Sequence, residues 1–580
     1  MSRFVNRRTI FSLLIAFALV AAFAGGLVLR GSPGHSQAAS PNKIVGAGNN
    51  NPICGRLGKS LQGSQGMQMW CFGPQSSGPS SHPTVPTNLS FGSNVDAANP
   101  HEDHNPSGAQ AYGQSEVSVA ASGHYVVEAW NDATGFFSPN CSPMNKDELT
   151  GFGFSIDGGK SFKDQGGLPN SSCATSKTEG DPSVETYQVN GHTYFYISSI
   201  FIPFTIPENA LSVTACEVNG SGSTATLSCG NPIVAAISTQ CDPTHSFCSF
   251  LDKEYLSIDP VRGRLYMSYT EFGINFSPPD HLTNGQIELA VCNLHNPANP
   301  ICYNGSNPLP TAPYLVVAPG NLSCEREGAY PAVDINTGDV YVAHEFNWAT
   351  NIFGSFGGPQ DCRGIPTRNQ VDYIPRTCLK LVPVSPCAGP ANTTSINVKS
   401  MDAAFIPGYN RFPMNDFPRI AVSDRAGTVS IVWNDTRLHP YGDILLQSFD
   451  LGSLGRVQSS PVRLNRSTAG WHFLPALRNA DSEGNLYVTF YSRTSPNTAI
   501  TDVSDAPEID PRTTSIPATN ITVTTGPSDW NAVSSDIVPN FGDYTDNYIP
   551  YKGDTLYVAW SDGRLGDPQP FEDVIPESGL

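Results

Sequence analysis

The sequence predicts an all-β protein, and three observations support this fold class. Only 14% of the 580 residues are charged, while 53 Gly and 49 Pro supply turn-forming positions along the chain. No long segment beyond the N-terminus shows the apolar stripe of an amphipathic helix. A single hairpin pattern also recurs along the chain. Because 39% of the residues are hydrophobic, the chain can bury a large core.

The recurring hairpin consists of a short strand, a turn with Gly, and a strongly β-forming strand that often ends in Asp or Asn. The glycines suit hairpin turns, which need positive φ. The copies are EVSVAASGHYVVEAWND (116–132), DPSVETYQVNGHTYFYISS (181–199), EYLSIDPVRGRLYMSYTEF (254–272), AYPAVDINTGDVYVAHEFN (329–347), DFPRIAVSDRAGTVSIVWND (416–435), FLPALRNADSEGNLYVTFYS (473–492) and DYTDNYIPYKGDTLYVAWSD (543–562).

These repeats predict a β-propeller of seven four-stranded blades. A lone four-stranded sheet leaves both faces open, whereas radial packing of several sheets buries them. Six blades are the alternative, if one degenerate copy belongs to a neighbouring sheet. Few residues follow the last copy, so the upstream strand TNLSF (87–91) is expected to complete the last blade and close the ring. The propeller is predicted to span residues 87–580.

The N-terminus predicts export. Three arginines precede an uncharged apolar run over residues 9–29, and the stretch AFA at 22–24 offers a cleavage point. The run is also long enough to span a bilayer, so residues 1–29 are interpreted as a signal peptide or an N-terminal membrane anchor. Residues 30–86, rich in Gly, Ser, Pro and Asn, are predicted to be a linker. We expect an extracellular or cell-surface protein that meets the membrane only through this N-terminal segment.

Cysteine usage agrees with export. All 14 cysteines lie beyond the apolar run, and an even number on the exported side predicts disulfides. Neighbours such as Cys216 with Cys229, and Cys241 with Cys248, suggest local bridges, although the spacing does not fix the connectivity. No C-x-x-C pair or Cys/His spacing matches a closed zinc site.

The formal charge of −19 excludes a general nucleic-acid surface, because such binding needs clustered Lys and Arg. A glycan or a cell-surface protein is the expected partner, and we expect a monomer. Two repeated Asp-x-Arg pairs, Asp435 with Arg437 and Asp562 with Arg564, are interpreted as ion pairs at blade ends.

The stretch GFGFSIDGGKSF (151–162) holds Ser155, Asp157, Gly159 and Phe162 in the spacing S-x-D-x-G-x-x-aromatic. It resembles the Asp box of sialidase-like, BNR-repeat propellers of exported bacterial proteins, and SFDLG further along the chain resembles a degenerate second box. In that family the box is similar to a staple at a turn between outer strands. The residues fit this interpretation, because Asp157 can accept hydrogen bonds from turn amides. We predict a structural role rather than a reaction centre.

Acidic residues stand where loops lead into the innermost strands. If the copies align, these side chains converge at one mouth of the central channel and repel one another unless a cation, an arginine or a proton intervenes. Alternatively, each acid bonds strand amides or a loop arginine such as Arg326. The acids are Glu116, Asp181, Glu254, Glu327, Asp416 and Asp543, with Tyr255 and Tyr544 beside two of them.

The family resemblance implies a glycoside hydrolase of the exo-sialidase type that acts on extracellular glycans. Sialidases are similar in using a Tyr nucleophile primed by Glu, an Asp acid/base and three arginines that hold the substrate carboxylate. No arginine triad can be identified, so a neutral glycan suits the acidic chain better than sialic acid. The candidate catalytic residues are Asp181, Glu254, Tyr255, Asp543 and Tyr544, and the candidate binding residues are Glu116, Arg326, Glu327 and Asp416.

A non-catalytic extracellular propeller that presents the same mouth to a glycan or a protein is the alternative, because loop-borne sites serve recognition as readily as catalysis. No cofactor is expected and no metal ligands are assigned. A Ca²⁺ ion in the channel would suit carboxylate and carbonyl oxygens, but the sequence lacks a D-x-D-x-D-G loop. HEDH at 101–104 lies in a Pro/Asn-rich segment and is interpreted as a solvated loop.

Overall fold

The computed structural model describes residues 93–99, 114–132, 148–241, 248–273, 285–303, 313–320, 324–348, 362, 364–409, 411, 414–533, 541–551 and 553–576. The predicted signal or anchor, the linker, TNLSF and HEDH lie outside these residues. Within these ranges, no helix has the length and apolar character needed to cross a membrane.

The described strands form seven antiparallel sheets in a β-propeller, as the repeats predict. Blade 1 contains β2 (Gln114–Ser122), β3 (Tyr125–Asp132), β4 (Thr150–Ser155) and β5 (Lys163–Gly167). Blade 2 contains β6 (Ser176–Thr178), β7 (Val184–Val189), β8 (His192–Pro203), β9 (Ala210–Asn219), β10 (Thr226–Cys229) and β11 (Ile233–Ile237). Blade 3 contains β12 (Phe250–Asp259), β13 (Arg264–Phe272), β14 (Gln286–Asn293), β15 (Ile301–Tyr303) and β16 (Leu315–Ala318).

The second half of the chain continues this design. Blade 4 contains β17 (Arg326–Asp334), β18 (Asp339–Phe346), β19 (Arg368–Ile374) and β20 (Asn392–Asn397). Blade 5 contains β21 (Arg419–Ser423), β22 (Thr428–Asp435), β23 (Asp443–Asp450) and β24 (Val462–Arg463). Blade 6 contains β25 (His472–Ala476), β26 (Leu486–Ser492), β27 (Ile500–Ile509), β28 (Ile521–Thr522) and β29 (Ser528–Asp529). Blade 7 contains β30 (Asp546–Tyr548), β31 (Thr555–Asp562) and β32 (Gln569–Pro576). The described residues also include short 3₁₀ helices at Gly222–Thr224 and Arg376–Cys378.

Both ends of the propeller contribute to blade 7. Strand β1 (Val95–Asp96) pairs with β32, with Val95 opposite Glu572. The predicted closure by an N-terminal strand is therefore confirmed, with the closing strand at residues 95–96. Neighbouring blades contact each other in turn around the ring: β2 with β7, β7 with β12, β12 with β17, β17 with β21, β22 with β25, β25 with β30, and β30 with β2.

The apolar core lies between neighbouring sheets. Leu211 and Val213 of blade 2, for example, pack with Leu256 and Met267 of blade 3 in one buried cluster. Each fully buried Val or Leu contributes roughly 1.5–3 kcal/mol to folding. The radial arrangement is therefore what buries both faces of each sheet.

A β-bulge near the start of several innermost strands decides which side chains face the channel. The pairing register shifts between Ser115 and Ser118, and between Asp252 and Tyr255. Within these bulges Glu116 has φ 56° and Lys253 has φ 57°. A bulge inserts one unpaired residue and re-aims its neighbours, so these two charged residues occupy equivalent positions in blades 1 and 3.

Two of the sequence motifs form ion pairs at blade ends, as predicted. Arg437 lies 2.6 Å from Asp435, and Arg564 lies 2.6 Å from Asp562. Asp435 also accepts a hydrogen bond from the buried indole of Trp433 at 2.9 Å. These aspartates therefore fasten a core tryptophan to a surface turn.

Five disulfides lie within the described part of the chain, and the local bridges suggested by the sequence are among them. Cys216 and Cys229 face each other across neighbouring strands. Bonds of this kind persist in oxidising environments, which indicates an extracellular protein. The pairs are Cys216–Cys229, Cys241–Cys248, Cys292–Cys302, Cys324–Cys362 and Cys378–Cys387.

Candidate functional site

The channel has two ends, which differ in character. We call the end at which the innermost strands begin the upper mouth, and the end at which they finish the lower mouth. Five of the six acids singled out in the sequence lie at the upper mouth, namely Glu116, Asp181, Glu254, Glu327 and Asp543.

The upper mouth holds a buried cluster of charged side chains around Lys253. The Lys253 ammonium forms ion pairs with Asp181 Oδ2 at 3.4 Å, with Glu116 Oε1 at 3.9 Å and with Asp543 Oδ2. Arg411 Nη1 lies 2.5 Å from the other oxygen of Asp543. All of these residues are buried. We call these five residues the channel cluster.

Hydrogen bonds from uncharged donors hold the carboxylates of the channel cluster together. Asn131 Nδ2 donates to Glu116 Oε2 at 2.5 Å and to Asp181 Oδ1 at 3.0 Å. The main-chain N–H of Asp543 donates to Glu116 Oε1 at 3.1 Å. Blades 1, 2, 3 and 7 thus meet through one network.

Protonation reduces the charge imbalance of the channel cluster. Burial opposes the charge on Lys253, but the carboxylates of Asp543 and Glu116 raise the pKa of Lys253 well above its usual value. Burial, followed by the charge of Asp181, raises the pKa of Glu116 well above its usual value. The surroundings therefore favour a charged lysine next to a protonated Glu116.

Glu254 and Glu327 lie beside the channel cluster, and they are also buried. Their carboxylate oxygens have no hydrogen-bond partner among the described residues. Burial raises the pKa of both side chains well above the usual value, and the charge of Asp181 adds to the effect on Glu254. Glu254 is therefore held as a neutral acid, whereas Asp543 is paired with two cations.

Tyr255 and Tyr544 form an aromatic group with Tyr330. The Tyr255 and Tyr330 rings stack with centroids 3.6 Å apart, and the Tyr544 ring meets Tyr255 edge-on at 5.3 Å. Burial raises the pKa of Tyr255 and of Tyr544 well above the usual value. Both phenols are thus held in the neutral form, which opposes a phenolate nucleophile.

Two arginines fill the middle of the channel around Asp546. Arg419 Nη2 lies 2.7 Å from Asp546 Oδ1, and Arg478 Nη1 lies 2.8 Å from Oδ2. Arg478 also pairs with Glu185 at 3.1 Å. The cavity that remains between Arg419 and Tyr255 has a volume of about 20 Å³, which is room for about one water molecule. The two mouths are therefore separate sites.

The lower mouth opens into a cavity of about 330 Å³ that is lined by both polar and apolar residues. Its floor is the ion pair of Arg478 with Glu185. Burial, followed by a hydrogen bond with Asp334, raises the pKa of Asp424 in its wall to about 7. We call this the lower-mouth cavity, and the lining side chains used below are Asp424, Arg425, Asn479 and Tyr551.

Two of the predicted binding residues lie apart from the channel cluster. Asp416 lies with Glu345 and Asp402 in a second buried group of carboxylates. Arg326 donates to Gln370 Oε1 at 3.4 Å and pairs with no acid among the described ion pairs. The structure thus brings Glu116, Asp181 and Asp543 together, with Glu254 and Glu327 beside them, but not Asp416 or Arg326.

Sequence reasoning missed Lys253 and Arg411, the two cations of the channel cluster. Lys253 precedes the predicted Glu254 and occupies the same bulge position as Glu116, so aligning the repeats on the bulge would have found it. Arg411 precedes blade 5 in a connection without a repeat pattern, and no sequence signal marks it.

The stretch that resembles an Asp box forms a compact turn between β4 and β5. Asp157 Oδ1 accepts hydrogen bonds from Ser155 Oγ at 2.8 Å and from the Ser161 N–H at 2.9 Å. Gly159 has φ 85°, and a Cβ there would come within 2.5 Å of Glu572 of blade 7. Phe162 packs against the apolar cluster that joins blades 1, 2 and 7. The turn therefore lies at the junction of blades 1 and 7.

No protein-family model matches the chain, and a search of curated proteins finds no match. Among solved structures, a Hadza microbial sialidase is similar at 10% identity and TM-score 0.36, over 70% of this chain and 66% of that chain. The intramolecular trans-sialidase from Ruminococcus gnavus is similar at 10% identity and TM-score 0.33, over 81% and 96%. The α-L-arabinofuranosidase from Lactobacillus brevis is similar at 11% identity and TM-score 0.30, over 57% and 92%. Similarity at this level assigns neither a family nor an activity to this chain.

Proposed function

We propose that the protein is an exported, extracellular β-propeller that binds a glycan in the lower-mouth cavity without cleaving it. One observation carries this proposal. The lower mouth holds a cavity of about 330 Å³ that is lined by both polar and apolar residues, whereas the acids of the upper mouth are buried. Binding cavities for small ligands commonly have volumes of about 300–1,000 Å³ and a few convergent polar groups. The five disulfides support the extracellular location.

The chemistry of the cavity suits a sugar. Tyr551 is 47% exposed at its edge, and an aromatic ring offers a flat apolar face to the C–H side of a sugar ring. Asp424, Arg425 and Asn479 present planar groups that can bond two adjacent hydroxyls at once. The net charge of −19 repels anionic ligands, so a neutral glycan is favoured over sialic acid.

A glycan array with the purified protein tests this proposal. We expect Tyr551→Ala to weaken binding of the recognised glycan by at least tenfold. Phe204→Ala is the matched control, because Phe204 is 46% exposed and does not line the cavity. Asp181→Asn, which alters only the upper mouth, should leave binding unchanged. Binding that survives Tyr551→Ala but is lost in Asp181→Asn would move the site to the upper mouth.

A glycoside hydrolase is the second candidate, and a specific feature of the upper mouth favours it. Glu254 is held as a neutral acid, while Asp543 is paired with Lys253 and Arg411. A carboxyl group that burial keeps neutral can serve as the general acid of a glycosidase, and a second carboxylate then serves as base or nucleophile. In this alternative Glu254 would protonate the leaving oxygen and Asp543 would act as base or nucleophile.

The exo-sialidase form of this alternative has less support. Arg411, Arg419 and Arg478 are each already paired with an aspartate, so they do not offer an open triad for a substrate carboxylate. A panel of fluorogenic sialosides and neutral glycosides decides between the candidates. Turnover that is lost in Glu254→Gln and Asp543→Asn would establish the hydrolase, and no turnover on any substrate would leave the binding function.

A further inference from the structure

A cavity of about 570 Å³ lies between the outer parts of blades 5 and 6. Its walls come from the connection between β22 and β23, from the outermost strand β24 with the residues before it, and from the connection between β27 and β28. None of its described lining residues belongs to the channel cluster or to the lower-mouth cavity. We call it the rim cavity.

Arg463 lines the rim cavity and lacks a close acidic partner. Its Nη1 lies 3.9 Å from Asp443 Oδ1, which is beyond hydrogen-bond distance. Both oxygens of Asp443 are already bonded, because His439 Nδ1 lies 2.8 Å from Oδ2 and Asn465 Nδ2 donates to Oδ1 at 2.9 Å. His439 Nδ1 also lies 3.5 Å from Arg463 Nη1, but a nitrogen that donates to Asp443 cannot accept a second hydrogen.

The same guanidinium has a further donor without an acceptor. Arg463 Nε is buried and makes no hydrogen bond with the described residues. A guanidinium carries five N–H donors in a planar fork that matches a carboxylate. Arg463 therefore keeps hydrogen-bond donors at the rim cavity that its described neighbours do not use.

The chain around the rim cavity is positively charged, although the whole protein is acidic. Residues 436–466 contain four arginines and two aspartates, whereas the whole sequence has a formal charge of −19. Of these aspartates, Asp443 is fully buried and Asp450 pairs with Arg512 at 3.1 Å. The local charge therefore favours an anionic group at this cavity.

Apolar and hydroxyl side chains line the rest of the rim cavity. Leu438 is 53% exposed and Ile516 is 44% exposed, and both belong to its walls. A ligand with an apolar group would remove this surface from water. Ser459 and Ser460 add exposed hydroxyls, which can bond the N–H and C=O groups of a peptide.

We propose that the rim cavity binds the C-terminal residue of a peptide chain whose last side chain is apolar. Arg463 would hold the terminal carboxylate through two parallel N–H bonds, and Leu438 and Ile516 would cover the last side chain. A fatty acid also joins a carboxylate to an apolar group, but the hydroxyls of the lining suit peptide groups better than an alkyl chain. This function is separate from glycan binding, because the two cavities share no described lining residue.

A ligand-observed NMR titration of the full chain with the peptide acetyl-Ala-Ala-Leu tests the proposal. We expect this acid to bind at least tenfold more tightly than the same peptide with a C-terminal amide, and more tightly than octanoate. Arg463→Gln should weaken binding of the acid at least tenfold. Arg456→Gln is the matched control and should leave it unchanged, because Arg456 is exposed, does not line the cavity and donates to the main-chain oxygen of Ser395 in blade 4.

A second variant keeps the test valid if Arg463→Gln does not fold. Leu438→Glu changes an exposed residue and places a negative charge in the cavity wall, so it should also weaken binding of the acid at least tenfold. Equal affinity for the acid and the amide, unchanged binding in these variants, or no binding of either peptide would overturn the site. Tighter binding of octanoate than of the peptide would overturn the assignment to a peptide and indicate a fatty acid.

Discussion

The Lys253 ammonium lies 3.4 Å from the Asp181 carboxylate, although the two residues are 72 positions apart in the sequence. This contact joins the innermost strand of blade 3 to blade 2 inside the channel. Replacing Lys253 by Met leaves Asp181, Glu116 and Asp543 buried with one cation fewer. We therefore expect Lys253→Met to lower the free energy of unfolding by about 3–5 kcal/mol.

Urea unfolding at neutral pH measures this change. Lys160→Met is the control, because Lys160 is exposed on the Asp-box turn and surface substitutions usually change stability by less than about 0.5 kcal/mol. If Lys253→Met were no more destabilising than Lys160→Met, the ion pairs of the channel cluster would not stabilise the contact between blades 2 and 3.

The contrast between Lys253 and Asp416 shows how far the sequence could predict this site. The repeats correctly predict that Glu116, Asp181 and Asp543 lie close together, because the hairpin copies determine the order of the blades around the channel. A bulge then shifts the side-chain direction by one residue, so that Lys253, rather than Glu254, points at the acids. The pairing of β21 with β22 has no such shift, and Asp416 lies with Glu345 instead. The amino-acid sequence marks the position of a bulge only weakly. The sequence therefore predicts the order of the blades better than it predicts which side chains line the channel.

Glu179 makes stability depend on pH. Burial raises its pKa from 4.5 to about 7 in the folded protein. The folded state therefore holds this proton more tightly than the unfolded state, and the contribution of Glu179 to stability is present below pH 4.5 and lost as the pH rises through 7. Relative to the wild type, Glu179→Gln should gain about 3 kcal/mol between pH 4.5 and 8.

Denaturant unfolding of both proteins at several pH values checks this difference. The exposed Glu483 provides the control variant Glu483→Gln, whose stability should follow that of the wild type across the whole range. A difference between Glu179→Gln and the wild type that is constant with pH would contradict the assigned pKa.

The turn that resembles an Asp box and the second, similar stretch SFDLG (448–452) form an internal comparison. Asp157 accepts hydrogen bonds from Ser155 and Ser161, so Asp157→Ala should cost about 1–2 kcal/mol without changing glycan binding. In the second stretch Ser448 bonds Ser430 instead, and the side chain of Asp450 contacts Arg512 in an exposed ion pair, its one partner among the described residues. Asp450→Ala should therefore cost less than about 1 kcal/mol. Thermal unfolding with a parallel glycan array separates the two effects, and a binding defect confined to Asp157→Ala would indicate a functional box.

A disulfide that closes a longer loop should stabilise the propeller more, because the loop-closure entropy grows with the logarithm of loop length. Cys324–Cys362 spans 38 residues and Cys241–Cys248 spans 7. If the bonds act mainly by restricting the unfolded chain, their contributions are about 4 kcal/mol and about 2 kcal/mol respectively. Replacing both cysteines of each pair by serine, and measuring urea unfolding of the two double variants, should therefore show the larger loss for Cys324–Cys362. Equal losses would mean that local packing in the folded state, such as that of Cys324 and Cys362 against Phe346, outweighs the entropy of loop closure.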